Sequence, residues 1–134
     1  MASIRREIQV AAAADAIWDA VRDVGEIHRR LVPGFVTDCR LEGEGNARIV
    51  TFGNGIGARD VIVDVAAAAR RLVGAAAGGR LTHHNASLQV FAEDTAHSRM
   101  VWIADLLPHA MAQPISAMID EGMRAMKRTL EAQS

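Results

Sequence analysis

The chain has 134 residues, half of them hydrophobic and 23% charged, with a formal net charge of −1. This balance excludes a disordered chain, and one domain over 1–134 is long enough to bury a core. The mixed, nearly cancelling charges offer no field for nucleic acid or an anionic membrane surface. Cys39 is the single cysteine, so an intrachain disulfide is excluded. No apolar run approaches the roughly 18 residues of a spanning helix. Met1-Ala2-Ser3-Ile4-Arg5-Arg6 carries no signal-peptide apolar stretch. A cytoplasmic protein without membrane insertion is expected.

The first strand is expected at Ile4–Val10, where Ile4, Arg6, Ile8 and Val10 alternate with Arg5, Glu7 and Gln9. Asp15 is placed to cap a short helix carrying Ile17, Trp18 and Val21, with Gly25 ending it. A second short helix follows over Glu26–Leu31, and Pro33-Gly34 forces a turn. Strands are expected at Phe35–Leu41 and Ala47–Phe52, with Glu42–Asn46 turning between them. Gly53-Asn54-Gly55 is a strong hairpin signal leading into Gly57–Val65. Ala66–Ala69 reads as a turn. Ala75-Ala76-Ala77 reads as a weak strand of small side chains, with Gly78-Gly79 as its turn. Leu81–Phe91 and Ser98–Leu107 are the last strands. After Pro108, Met111, Ile115, Met118, Ile119, Gly122, Met123, Met126 and Leu130 recur at three- and four-residue steps. That spacing is a long amphipathic helix, with Pro114 in its first turn. The order predicts an α+β fold: a curved antiparallel sheet of about six to seven strands packed on the long C-terminal helix.

Chemistry concentrates on the strand over Leu81–Phe91. Neighbouring strand residues point to opposite faces. His84 is in phase with Ala86, Leu88 and Val90, whereas His83 and Asn85 are in phase with Ser87 and Gln89. His84 is therefore expected inward, as either a hydrogen-bonded core residue or part of a site. On the final strand Met100, Trp102, Ala104 and Leu106 share a face that would adjoin it. His83 and His84 diverge, so they do not readily share an ion. His28, His97 and His109 are scattered, and no CxxC or HExxH spacing occurs. No metal and no cofactor are expected.

Asp60 and Asp64 alternate with Val61, Val63 and Val65, a pattern that by itself points the valines inward and the carboxylates to solvent. An inward Asp60 would instead pair with His84 or orient a polar ligand group. Gly53-Asn54-Gly55-Ile56-Gly57 lacks the GK[ST] ending of a phosphate loop and reads as a hairpin tip. Ser87 and Ser116 have no nucleophile-elbow context, and Cys39 reads as an inert thiol. Gly122 in mid-helix costs roughly 1 kcal/mol relative to alanine and points to close approach by sheet or ligand.

Ala14-Asp15-Ala16-Ile17-Trp18-Asp19-Ala20-Val21-Arg22-Asp23-Val24-Gly25, after the strand Ile4–Val10, resembles the opening of the polyketide cyclase/dehydrase branch of the START-like (SRPBCC) superfamily. The resemblance continues through Arg59–Val65, Ala69–Leu72 and Met100-Val101-Trp102 to the Met/Ile helix. Thr82-His83-His84-Asn85-Ala86-Ser87 looks like the mark of a subgroup. The resemblance implies a helix-grip fold, with two short helices after the first strand and a cavity for hydrophobic molecules between sheet and long helix. It also implies an inward Asp60, reversing the alternation pattern, and an inward aromatic at Trp102. Gly74–Ala77 departs from the family's bulkier strand, which would enlarge the cavity or weaken the sheet.

Strand phase, helix spacing and the resemblance together give the expected ligand set His84, Asp60, Ile62, Leu88, Met100, Trp102, Met118, Gly122 and Met126, in which His84 has no general counterpart in the family. The expected partner is a small hydrophobic molecule of polyketide, lipid or aromatic type. His84 and Asp60 are the candidates for any cyclisation, dehydration or isomerisation chemistry. A non-catalytic carrier or sensor and a protein-interaction module are the alternatives, in a monomer or homodimer.

Overall fold

A computed structural model describes residues 2–77 and 80–133. β1 (Ala2–Val10) leads through α1 (Ala14–Arg22) and α2 (Ile27–Arg30) into β2 (Val36–Glu42), β3 (Ala47–Phe52) and β4 (Gly57–Ala66). β5 (Arg71–Ala77), β6 (His83–Ala92) and β7 (Ser98–Leu107) follow, and α3 (Ala112–Ala132) ends the fold. Among the described residues, seven strands form one antiparallel sheet in the order β1-β7-β6-β5-β4-β3-β2. The six strands from β2 to β7 run as successive hairpins, while β1 closes the far edge beside β7. This is the helix-grip arrangement expected from the resemblance.

Local chemistry explains most of the boundaries. The Gly53–Ile56 tip closes with Gly55 N–H donating to Phe52 O and Phe52 N–H to Ile56 O, and Gly55 supplies the required positive φ of 88°. The small-residue segment is a full interior strand, β5, bonded on both sides. Backbone ladders run to β4 as far as Ala77 and to β6 as far as Ala75, and Leu72 anchors the strand in the core. The expected turn at Gly78-Gly79 lies outside the described residues.

Two details of α1 differ from expectation. Ala13, not Asp15, is the N-cap, and Asp15 lies within the first turn, where its Oδ1 accepts from Arg70 Nη2 at 2.8 Å. The helix stops at Arg22, before Gly25. Gly25 has a packing reason instead: a Cβ there would stand 3.0 Å from Leu41 Cγ.

The inward face of the sheet is set by register. Val90 lies beside Met100, and Met100 beside Ile8; Leu88 lies beside Trp102; Ala86 beside Ala104; His84 beside Leu106. Met100, Ala104 and Leu106 are fully buried there. From α3, Ile115, Ile119, Met123, Met126 and Leu130 are buried along the predicted stripe. The helix is tied to the β1 edge by polar contacts as well. Arg6 Nε donates to Asp120 Oδ1 at 2.7 Å, Lys127 Nζ to Gln9 O at 2.5 Å, and Ala11 N–H to Glu131 Oε2 at 2.8 Å.

At the start of β7, Ser98 is the fully buried polar side chain of the core, and its Oγ donates to Ala12 O at 2.7 Å. Removing a buried donor leaves its acceptor unsatisfied, at a cost of about 1–3 kcal/mol. Ser98→Ala should therefore lower the urea midpoint by that much stability with an unchanged m-value. A midpoint equal to that of the parent protein would refute the structural role given to this bond.

Candidate functional site

Antiparallel pairing aligns one row of residues across the inward face. Arg48 of β3 is in register with Asp60 of β4, and Asp60 with Ala76 of β5. The β5–β6 ladder ends at Ala75 with Asn85; Ala76 and His84, the next residue on each strand, line the same cavity, and His84 pairs with Leu106 on β7. Asp60 and His84 are thus two strands apart, about 10 Å between Cα atoms from the usual strand spacing. The small residues Gly74 and Ala76 of β5 lie between them on the cavity wall.

Asp60 faces inward, as the resemblance implied and against the simple alternation pattern. The register shift between Ile62 and Asp64 breaks strict alternation along β4. Val63 and Val65 are exposed by 58% and 43%, and Asp64 is exposed as well. Asp60's partner, however, is not His84. Arg48, which sequence reasoning passed over, sends Nε to Asp60 Oδ2 at 3.0 Å, with Nη2 also 3.0 Å from the same oxygen. Arg48 Nη1 donates to Val24 O at 3.1 Å. The side chains of Arg48 and Asp60 are only 11% and 20% exposed. A sequence signal for Arg48 existed: it shares the phase of Val50 and Phe52 on β3.

Gly74 makes room for this pair. A Cβ at that position would stand 2.6 Å from Asp60 Oδ1, so the carboxylate lies directly over the glycine. The glycine in β5 is thus a consequence of the inward carboxylate.

The polar row borders a cavity of about 160 Å³ between the sheet, α2 and α3. His84, Asp60, Leu88, Trp102, Met118 and Met126 all line it, together with Arg48 and Phe35. The cavity shares Phe35, Phe52, Ala58, Ala76, His84 and Met118 with a wider groove of about 1130 Å³ that opens to solvent. His84 and Ala76 therefore stand at the throat, and Arg48 and Asp60 farther in. The hairpin tip supplies Gly53, Asn54 and Ile56 to the outer groove.

Three residues of the expected set lie elsewhere. Met100 is wholly buried between Val90 and Ile8. Ile62 packs against the core beside Gly74. Gly122 lies against two rings: a Cβ there would be 3.1 Å from both Trp102 Cζ3 and Phe35 Cε2. Its missing side chain lets those rings, which do line the cavity, reach the helix.

His84 is the electrostatic anomaly. Both ring nitrogens are buried without a hydrogen-bond partner among the described residues. Burial pushes its pKa below the ordinary 6.5; the Asp60 charge opposes this and His83 adds to it. The imidazole is thereby held neutral, with one donor and one acceptor nitrogen. Cys39 Sγ donates to Val24 O at 3.4 Å, and burial pushes its thiol up, away from the reactive thiolate. Among the described residues no three His, Cys, Asp or Glu side chains cluster as metal ligands, and no helix is long and apolar enough to cross a membrane.

Comparison with known proteins agrees with this architecture. Among solved structures, a protein from Thermobifida fusca is 29% identical, with a TM-score of 0.78 over 98% of this chain and 91% of that one. A protein from Bacillus thuringiensis is 12% identical with a TM-score of 0.87, covering 96% of this chain and 98% of its own. The Zhui aromatase/cyclase from Streptomyces sp. R1128 is 15% identical with a TM-score of 0.72, covering 98% and 92%. No curated protein matches the chain. The family model described as polyketide cyclase / dehydrase and lipid transport matches residues 1–131. The chain belongs to that family.

Proposed function

We propose that this protein binds a small hydrophobic molecule in the cavity between the sheet and α3, with the ligand's polar end at the row Arg48–Asp60–Ala76–His84. The observation that carries this reading is the pairing of an apolar cavity with a buried imidazole whose nitrogens have no partner among the described residues. An unsatisfied buried polar group costs about 1–3 kcal/mol, a cost that a bound ligand's hydrogen bond would offset. Small apolar sites with a few convergent polar groups are the usual form of ligand pockets. The aromatase/cyclase activity named for one structural relative is consistent with a ligand of ring-forming type.

The same imidazole favours a second reading, in which bound ligand is also transformed. A neutral His84 has a nitrogen free to take a proton from a ligand C–H or O–H. The resulting imidazolium would be stabilised by the Asp60 charge and can return the proton from the same nitrogen to a departing hydroxyl. Cyclisation uses one such cycle, carrying a C–H proton to the carbonyl oxygen that becomes the hydroxyl, and dehydration a second, carrying another C–H proton to that hydroxyl as it leaves as water. A carrier or sensor would use the contacts without the transfer.

A neutral fluorescent probe, N-phenyl-1-naphthylamine, should bind saturably, one per chain. Ala86→Leu, which fills the cavity floor, should weaken binding about tenfold or more; undiminished binding would place the probe on exposed apolar surface and overturn the cavity reading. His84→Ala should change probe affinity severalfold and His83→Ala hardly at all, because His83 is in register with Leu107 on the opposite face. Equal effects would refute the division of the two histidines.

His84 also has a pH signature. Its folded-state pKa lies below the unfolded value of about 6.5, so the unfolded chain takes up the proton first as pH falls. The sign follows: stability is full above about pH 6.5 and declines as pH drops below it. Thermal midpoints between pH 7.5 and 5 should fall less steeply for His84→Gln than for the parent protein. Parallel curves would show that His84 is not held neutral by burial.

A further inference from the structure

The row across β3 to β6 carries more than a general preference for apolar ligands. Resting on the cavity-binding reading above, we propose that the site selects a neutral ring bearing a hydroxyl group, seated above Ala76 so that the hydroxyl bridges His84 and Asp60.

The geometry supplies the argument. Asp60 and His84 face the same cavity but are kept apart by the width of one strand, with the smallest chiral side chain between them. Asp60 Oδ2 is taken by Arg48, whereas Oδ1 has no hydrogen bond among the described residues. A carboxylate is acceptor-only, so Oδ1 calls for a donor. The imidazole N–H across the gap calls for an acceptor. A hydroxyl is the smallest group that serves both, with its hydrogen toward Asp60 and its oxygen toward His84.

Charge argues against an anionic ligand end in the same position. Arg48 directs Nε and Nη2 at Asp60 and Nη1 at Val24 O. It therefore presents no uncommitted fork to a carboxylate, which would also sit against the Asp60 oxygen. Arg59 and Arg80 line only the outer groove, and Arg59 is tied to Glu42 at 2.8 Å. Volume limits the rest. A dry cavity of about 150 Å³ accepts a benzene-sized molecule, so a cavity of about 160 Å³ holds a single ring. Any second ring or chain extends into the groove.

Ala76 is then a specificity-determining residue. A larger side chain there would fill the bridge position without removing either polar group.

The test uses four two-ring probes of nearly equal size: naphthalene, 2-naphthol, 2-methoxynaphthalene and 2-naphthoate. Their binding is measured by calorimetry and by ligand-observed magnetic resonance. The hydroxyl bond to a charged acceptor should make 2-naphthol about tenfold tighter than naphthalene and the methyl ether, with naphthoate weakest. Ala76→Leu and His84→Leu should each remove the naphthol advantage, with folding verified by circular dichroism. Four probes bound equally, tightest binding of naphthoate, or a naphthol preference that survives both folded variants would overturn the hydroxyl bridge and leave the cavity reading standing. Failure of all four to bind would instead count against the cavity reading itself. The comparison within the parent protein decides the proposal even if a variant does not fold.

Discussion

Everything at the site depends on where α3 is held. Its polar ties run to β1: Asp120 to Arg6, Lys127 to Gln9 O and Glu131 to Ala11 N–H. That edge of the sheet is therefore held down on the helix, whose Ile119, Met123 and Leu130 are buried in the core. Among the described residues, β3 to β5 have no such polar ties to α3. Their inward positions carry Gly74, Ala76 and Ala58, which are too small to span the gap. A cavity at that end follows from an anchored helix above a floor of small residues. Close packing prevails elsewhere in the core, as it does in protein interiors generally.

Placing polar groups in that cavity works against stability. The Arg48–Asp60 pair loses hydration, and the close approach of the guanidinium Nε and Nη2 to Oδ2 offsets part of that loss while Oδ1 stays unbonded among the described residues. His84 has no such compensation among the described residues. Local choices that conflict with stability concentrate at functional sites, and here the conflict and the cavity coincide. The neutral imidazole and the charged carboxylate differ in the hydrogen bonds they can make. Their separation by Ala76 keeps them from satisfying each other, so both remain available to a ligand.

The fold was legible because its signals are periodic. The three- and four-residue spacing from Met111 to Leu130 specified α3, and turn chemistry at Gly53-Asn54-Gly55 specified the β3–β4 hairpin. Alternation on β6 separated His84 from His83. Where periodicity was weak, the reading was incomplete. Ala75–Ala77 lacks bulky residues and read as a marginal strand, yet its place between β4 and β6 makes it an interior one. Alternation on β4 pointed Asp60 outward, because a register shift near Val63 cannot be seen in a one-dimensional pattern. Only the family resemblance turned it inward.

By itself the sequence determined the element types, the helix-grip order, the inward phase of His84 and the family. Each of these rests on residues close together along the chain or on a pattern shared with relatives. Tertiary structure alone decided the partnerships. Arg48 rather than His84 holds Asp60, Gly74 yields its side-chain space to the carboxylate, and Gly122 yields its own to Trp102 and Phe35. Those assignments depend on strand register and helix height, which bring together residues far apart in the chain and leave no local trace at any one of them.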